Sequence, residues 1–454
     1  MSEHVHVVGV GGVMMSAIAR LLLAQGCRVS GSDQQASGYT DALAAAGVTI
    51  HVGHRAGNLA PDVAWVAYSS AIGADNPELV AAAERGLPRL KRDQVLGRVV
   101  NARRGLAVAG THGKTTTSAL AATLLTEAGL DPMFLVGSVL ANYGTNCGVG
   151  AGEWVVVEAD EYDRAFLTLE PEVAVVTNVE NDHPDVYRDL DDVVATFRAF
   201  ASQVRPAGLL LLGADCRRAP SLASAAGCTV QTYGAAAGAD WRVSAVADDE
   251  GLVTFRLTTP AGATLPVRTT MLGAHNALNA TAAIAAAAWA GVAPARAAEL
   301  VARFAGTQRR CERLIDQGGI LVLDDYAHHP TEVAATIAAA RRLGRRLRVV
   351  FEPHQFARTR ALLSEYAGVF DQADEALICD IHRARETDTS GVSGAGLAAV
   401  AGGPERGVFY VGPHAAARER LIAGAGEREV WLVMGAGDVT HLAHELAAWV
   451  AANR

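Results

Sequence analysis

Lysine is almost missing from this chain: of its 39 basic residues only Lys91 and Lys114 are lysines. A general drift from lysine to arginine explains the loss elsewhere and makes each surviving lysine more informative, because a compact ammonium does work that a guanidinium does not. A net charge of -9 excludes nucleic acid as the main partner. Cysteine is sparse too. The six cysteines, Cys27, Cys147, Cys216, Cys228, Cys311 and Cys379, are scattered without a CxxC pair. Zinc clusters and a disulfide framework are therefore not expected, and reduced thiols in a cytosol fit best. Long hydrophobic runs are absent: nothing approaches the ~18 consecutive apolar residues that span a bilayer. The richest run, Ala280 to Ala290, stops at Gly291 and reads as a buried helix. The N-terminus has no basic segment ahead of an apolar one, so no secretory signal is expected and the location reads as cytoplasmic. No internal repeat, low-complexity tract or long linker interrupts the chain, and the sequence leaves monomer and homodimer both open.

What is present is the composition of a folded protein, 50% hydrophobic and 19% charged. At ~150 residues per domain, 454 residues give an expectation of three α/β domains. Residues 4–10 form an apolar run that meets Gly11 and Gly12. A helical pattern follows from Met14 to Gln25, and a second strand from Cys27 ends at Gly31-Ser32-Asp33. With a strand at Trp65 to Ser69 and a helix at Pro77 to Arg85, residues 1–102 read as a small doubly wound, Rossmann-like domain. Gly9, Gly11 and Gly12 with Asp33 about 20 residues on imitate a dinucleotide fingerprint. Met14 stands where the third glycine belongs, which disfavours NAD. A uridine-diphosphate site uses the same turn physics, with Asp33 free to meet a ribose. Ser69 and Ser70 read equally well as site residues or plain turn residues.

The strand Leu106 to Ala109 runs into Gly110-Thr111-His112-Gly113-Lys114-Thr115-Thr116 and a helix reaching Glu127. Backbone N–H groups of such a turn converge on phosphate oxygens, Lys114 reaches the terminal phosphates, and the Thr115 hydroxyl can ligate Mg²⁺. A standard P-loop wants glycine at 108, where this chain has Val108; the loop is shorter and begins at Gly110. The strand Trp154 to Val157 then delivers Glu158, Asp160 and Glu161, and a carboxylate there can hold Mg²⁺ opposite Thr115. The strand Val173 to Thr177 leads to Asp182-His183. Alternating strands from Trp241 to Thr270 and an Ala-rich helix from Asn276 complete a central ATP-binding domain, 103–308, with a mostly parallel sheet. Strands at Ile320 to Leu323, Leu347 to Phe351, Ala376 to Asp380, Val408 to Val411 and Val430 to Met434 form a third α/β unit, 309–454. His328-His329 with Glu332 has the residue types of a zinc site. Pro330 between them and the lack of a third ligand in sequence favour a phosphate or substrate contact instead. Arg341, Arg342, Arg345 and Arg346 read as a solvated helix end.

The motifs at 110–117 (GTHGKTTT), 158–161 (EADE), 177–183 (TNVENDH), 275–280 (HNALNA) and 324–332 (DDYAHHPTE) resemble, in order and approximate spacing, those of the Mur ligase family. The resemblance spans essentially the whole chain. It implies an ATP-dependent ligase that activates a carboxylate as an acyl phosphate and joins it to an amino acid. The N-terminal domain would hold a UDP-sugar, the central domain ATP, and a C-terminal Rossmann-like domain would close for catalysis. The segments at 9–17, 30–33, 68–72, 90–94, 351–360 and 434–438 resemble the branch that adds L-alanine to UDP-N-acetylmuramate in peptidoglycan precursor synthesis. On that resemblance Gly11, Gly12, Ser16, Asp33, Ser69 and Ser70 bind the sugar nucleotide. Thr115 and Glu158 hold one Mg²⁺ and His183 a second, while Lys114 binds the β- and γ-phosphates. His275, Asn276 and Asn279 lie on the adenine side, and Arg310 and Asp325 are nucleotide contacts from the C-terminal domain. Tyr326, His328, His354 and Arg358 surround the substrate carboxylate and the incoming alanine. Lys114, His183, His354 and Arg358 are the catalytic set.

Two further departures from the family pattern matter. Gln355 replaces a usual basic residue. No lysine remains for the carbamylated metal bridge of several family members, because Lys114 is committed to phosphate and Lys91 lies in the first domain. The alternatives are a recycling ligase that adds a tripeptide to the same sugar nucleotide, and a P-loop ATPase switch without ligation.

Overall fold

The computed structural model describes residues 3–69, 71–249, 251–384, 386 and 391–454, and these build three sheets. The first holds β1 (His4–Val8), β2 (Arg28–Asp33), β3 (Thr49–Val52), β4 (Val63–Tyr68) and β5 (Arg89–Lys91). Its order is β3-β2-β1-β4-β5, all parallel, so the strand order reverses between β1 and β4. A crevice at such a switch point is where open α/β sheets bind ligands.

The second sheet contains β6 (Arg104–Ala109), β7 (Met133–Leu140), β8 (Thr145–Val149), β9 (Trp154–Glu158), β10 (Val173–Val176), β11 (Leu209–Gly213) and β12 (Thr229–Gly234). It continues with β13 (Trp241–Asp249), β14 (Leu252–Thr258) and β15 (Thr264–Thr269). The order is β15-β14-β13-β12-β11-β10-β6-β9-β7-β8. Strands β6, β9, β10 and β11 are apolar runs because helices cover both their faces. By contrast β14 alternates buried and more exposed residues, as an antiparallel strand with one wet face must. The Ala-rich helix His275–Trp289 packs on the helix Lys114–Glu127, and their small side chains let the two approach closely.

The third sheet holds β16 (Glu312–Gln317), β17 (Ile320–Asp325), β18 (Arg346–Phe351), β19 (Glu375–Cys379), β20 (Val408–Gly412) and β21 (Glu429–Met434). Its order is β16-β17-β21-β18-β19-β20, parallel except for β16. The architecture is the three-domain α/β arrangement expected. Arg346 is a correction: it opens β18 and its guanidinium meets Glu429 at 3.0 Å, so it does not belong to a solvated helix end. Strands β3, β5, β7, β8, β11, β12 and β16 answer to no strand expected from the sequence; β3 and β5 are short and half-exposed, with little apolar pattern.

One apolar cluster runs from the first sheet into the second, joining Val5, Ile18 and Val99 to Ala107, Val157 and Phe166. The helix Arg92–Asn101 packs at this seam, where a Cβ at Gly97 would come within 2.7 Å of the Thr168 carbonyl oxygen. All six cysteines are free thiols. Among the described residues no helix is long and apolar enough to cross a membrane.

Candidate active site

The glycine turn after β1 sits at the first switch point. Gly9 has φ +79°, and its N–H donates to the Ser32 carbonyl. The Gly11 N–H donates to Asp33 Oδ2 at 2.8 Å, so the aspartate braces the turn. A Cβ at Gly11 would come within 2.9 Å of that same oxygen. Gly12 caps the helix Val13–Ala24, and Ser16 Oγ donates to the Val13 carbonyl within it. Ser69 follows β4 directly, with its Cβ facing Gly9. Ser70 lies outside the described residues.

The phosphate loop occupies the second switch point, beside β10 and β9. Gly110 has φ +130° and a Cβ there would collide with Thr177 Oγ1, so only glycine fits. Asn178 pins the loop: its carbonyl accepts from the Thr111 N–H at 3.1 Å and its Oδ1 from the His112 N–H at 2.8 Å. Gly113 (φ +81°) caps the helix Lys114–Glu127, with Asn279 Oδ1 against it. Lys114 Nζ donates to the carbonyls of Gly110 (2.6 Å) and Thr111 (3.0 Å) and to Glu161 Oε1 at 2.9 Å. Burial alone would lower the Lys114 pKa, but Glu161, Asp160 and Glu158 outweigh it and hold the ammonium above its ordinary 10.5. Burial pushes Glu161 up to about 7.

Thr115 Oγ1 donates to Glu158 Oε1 at 3.0 Å, and Arg310 from the third domain donates to the same hydroxyl at 3.3 Å. The hydroxyl and carboxylate oxygens expected to meet a hard cation thus already face one another, and oxygen is the donor that Mg²⁺ takes. Thr116, His275, Asn276, Asn279, Arg310 and Asp325 line a cavity of about 1200 Å³ alongside the loop. Its size exceeds the roughly 300–1,000 Å³ of most small-ligand clefts. His275 is half-buried and neutral, its pKa lowered to about 4 by desolvation. Asp325 accepts from the Cys311 N–H at 2.7 Å and the Ala327 N–H at 2.8 Å, which fixes the start of the 326–332 turn.

A second group of side chains forms where the third domain meets β10. Arg358 Nε donates to Asp182 Oδ1 at 2.8 Å; its two terminal nitrogens reach His354 Nδ1 (3.2 Å) and His183 Nδ1 (3.3 Å). His183 adopts φ +55°, a left-handed conformation that costs a non-glycine residue energy and recurs at functional sites. Its imidazole is kept neutral by burial, against the pull of Asp182. His354 and His328 are likewise held neutral, their pKa values lowered by burial to about 3 and about 4. Tyr326 packs edge-on to His328, and Arg309 and Arg310 lie over its ring. Gln355, the site of a departure from the family pattern, holds φ +68°, and its N–H donates to the His382 carbonyl, which shapes the turn between His354 and Arg358.

Three acids outside the expected set, Glu180, Asp182 and Glu332, are central here through their pairing with the expected residues His112 and Arg358. His112 bridges Glu180 Oε2 and Glu332 Oε1, each at 3.1 Å, tying the phosphate loop to the third domain. Burial would lower its pKa, but the two carboxylates raise it to about 9, so the bridge is charged. Asp182, Glu180 and Glu332 all stand inside recognised motifs. Only folding shows that they pair with Arg358 and His112 rather than with solvent.

A strand–loop–helix phosphate site, completed by a second α/β domain carrying arginine and acid, defines a multidomain nucleotide-dependent enzyme. Residues 4–104 match the Mur ligase family catalytic domain, 108–287 the Mur ligase middle domain, and 309–437 the Mur ligase glutamate ligase domain. The chain belongs to the Mur ligase family. It is 40% identical over 451 residues to the UDP-N-acetylmuramate–L-alanine ligase of Rubrobacter xylanophilus, covering 98% of this chain and 99% of that one. To the protein of the same name from Thermobifida fusca it is 42% identical, covering 96% and 94%. Among solved structures, the UDP-N-acetylmuramate-alanine ligase of Thermotoga maritima superposes with a TM-score of 0.82 at 24% identity, covering 99% and 100%. A murein peptide ligase from Psychrobacter arcticus gives 0.71 at 26%, covering 100% and 99%.

Proposed function

We propose that this chain is an ATP-dependent amide-forming ligase that joins L-alanine to the carboxylate of UDP-N-acetylmuramate in peptidoglycan precursor synthesis. The structural observation that carries the reading is the convergence on Thr115 of Glu158 from the central domain and Arg310 from the third. An ATPase switch without ligation needs no such composite site. Full-length identity of about 40% to relatives bearing the alanine-ligase name supports alanine over a tripeptide.

A carboxylate resists attack by an amine because its leaving group would be oxide; phosphoryl transfer from ATP supplies a better one. Lys114 screens the approach of the anionic carboxylate to the γ-phosphate. Thr115 and Glu158 would hold one Mg²⁺ and His183 would contribute to a second, supplying charge neutralisation at the phosphates. The cavity at His275, Asn276 and Asn279 takes the adenine side, with Asp325 and Arg310 closing over the nucleotide. The turn at Gly11 and Gly12, with Ser16, Asp33 and Ser69, takes the diphosphate and sugar side. His354 and Arg358, flanked by Tyr326 and His328, orient the amino acid against the acyl phosphate, and the closed third domain keeps water from it. In this reading the working units are 1–102, 103–308 and 309–454, and the enzyme acts in the cytoplasm.

The test is phosphate release across a panel of amino acids. Release is expected only when ATP, UDP-N-acetylmuramate and L-alanine are all present. Release without an amino acid acceptor, or only with a tripeptide, would overturn the assignment.

A further inference from the structure

Four chemically active side chains that the ligase reading does not use meet at the C-terminal edge of the third sheet. Glu352 follows β18, His382 lies just beyond β19, His414 just beyond β20, and Asp438 just beyond β21. The strand order reverses here as well, since β21 inserts between β17 and β18. Such a crevice gathers loop residues from several strands around one point.

The donor atoms of Glu352, His382 and Asp438 all lie within 4.8 Å of one another. His382 Nδ1 is 3.2 Å from Asp438 Oδ1 and 3.9 Å from Glu352 Oε2. Glu352 is 3% exposed, yet its Oε2 has no hydrogen-bond partner. Its other oxygen accepts from His414 Nε2 at 2.7 Å, which fixes the carboxylate with Oε2 aimed into the cluster. A purely structural ion-pair network does not account for this. One Nδ1–H serves only one acceptor well, and Asp438 is the nearer, so the buried Glu352 oxygen stays open. Leaving such an atom without a partner is costly. At Gly437 a Cβ would run into Glu352 Oε2 and the His382 ring, so only glycine lets the backbone pass this close.

We propose that Glu352, His382 and Asp438 form a binding site for a divalent transition-metal ion of the Zn²⁺ type. One imidazole nitrogen with two carboxylate oxygens is a donor set for a borderline ion, whereas Mg²⁺ and Ca²⁺ prefer oxygen alone. Zinc bond lengths of about 2.0–2.2 Å place tetrahedral donors roughly 3.3 Å apart. The two His382 separations, 3.2 and 3.9 Å, lie close to that spacing, and all three donors stay within 4.8 Å of one another. The helix Val439–Asn453 points its N-terminus at the site and opposes a cation with roughly half a positive charge, against two full negative charges. The His382 ring stacks on His354 at 5.4 Å with a 10° tilt, so occupancy of the site would fix a ring that borders Arg358.

The experiment uses the full chain, freed of metal by chelator and dialysis, without nucleotide or Mg²⁺. Zn²⁺ is titrated calorimetrically, and Co²⁺ is added separately to read the intense visible bands of a four-coordinate site. One ion per chain is expected to bind. Binding should weaken by about tenfold or more in Asp438→Ala, which alters a side chain that is largely exposed and leaves the core alone. His382→Gln should do the same, and both variants should lose the Co²⁺ bands. Failure of the wild-type chain to bind Zn²⁺ would overturn the proposal. So would binding that Asp438→Ala and His382→Gln leave unchanged, or binding lost in His112→Gln instead.

Discussion

The Arg358 guanidinium donates to Asp182 Oδ1 at 2.8 Å, across the junction between the third domain and the loop after β10, from a position 176 residues further along the chain. Both side chains are buried, at 4% and 8% exposure, so the pair is shielded from solvent. Burial alone would raise the Asp182 pKa, but the charges around it, Arg358 among them, outweigh that and hold it well below the usual carboxylate range. His183 and His354 accept from the remaining arginine nitrogens. One planar fork therefore sets two imidazoles and a carboxylate at once.

Arg358→Lys keeps the charge and loses the fork. An ammonium has no fixed in-plane geometry to hold Asp182, His183 and His354 together. The expected outcome is a loss of about 2 kcal/mol, or ~30-fold, in kcat/KM for L-alanine, with ATP affinity nearly unchanged. Steady-state kinetics with each substrate varied in turn checks this. An equal loss for ATP and alanine would contradict the positioning role.

Lys114→Ala is expected to reduce turnover by about 10²–10³-fold or more, the scale of removing one preorganised charge from a reacting centre. Lys114→Arg is not expected to rescue it, because three acceptors already enclose the ammonium at 2.6–3.0 Å. Circular dichroism should show an intact fold in both variants. Retained activity in well-folded protein would remove the phosphate-loop assignment.

His183→Ala is expected to raise the Mg²⁺ concentration needed for half-maximal ligation by about tenfold, while ATP alone binds almost as before. A neutral imidazole is a weaker partner for Mg²⁺ than oxygen, so this second ion should settle only when substrate arrives. Added bicarbonate should change nothing. Lys91 is partly exposed and faces Asp163, and Lys114 is enclosed at the phosphate loop, so neither is placed to bridge metals as a carbamate. A bicarbonate-dependent rate, or an unchanged Mg²⁺ requirement in the variant, would count against this account.

The His112 bridge to Glu180 and Glu332 makes stability depend on pH. Its pKa is raised in the folded protein from an ordinary 6.5 to about 9. A raised pKa contributes stability that is fully present below about 6.5 and is lost as pH climbs through about 9. The gap in thermal midpoint between wild type and His112→Gln should therefore be widest near pH 6 and close toward pH 10. Midpoints measured across that range decide the matter, and a gap that widened with pH would refute it.

Much of this protein was determined by its sequence alone. The apolar strands β6, β9 and β10, the glycines of the phosphate loop, and the acids placed at strand ends are local features, because strand burial and left-handed turns are dictated over a few residues. The placement of Lys114 and Thr115 at the start of a helix behind a glycine loop is legible on the same terms. Tertiary structure alone decided which charges neutralise one another. His112 meets Glu332 across 220 residues and Arg358 meets Asp182 across 176, and no periodicity or motif spacing encodes such distances. It also decided that Asp33 braces the Gly11 turn, and that Glu352, His382, His414 and Asp438 come from four strand ends to one crevice. The physical reason is that hydrophobic patterning selects elements and their faces. The register of the packed domains then fixes partners for polar groups that cannot be buried alone.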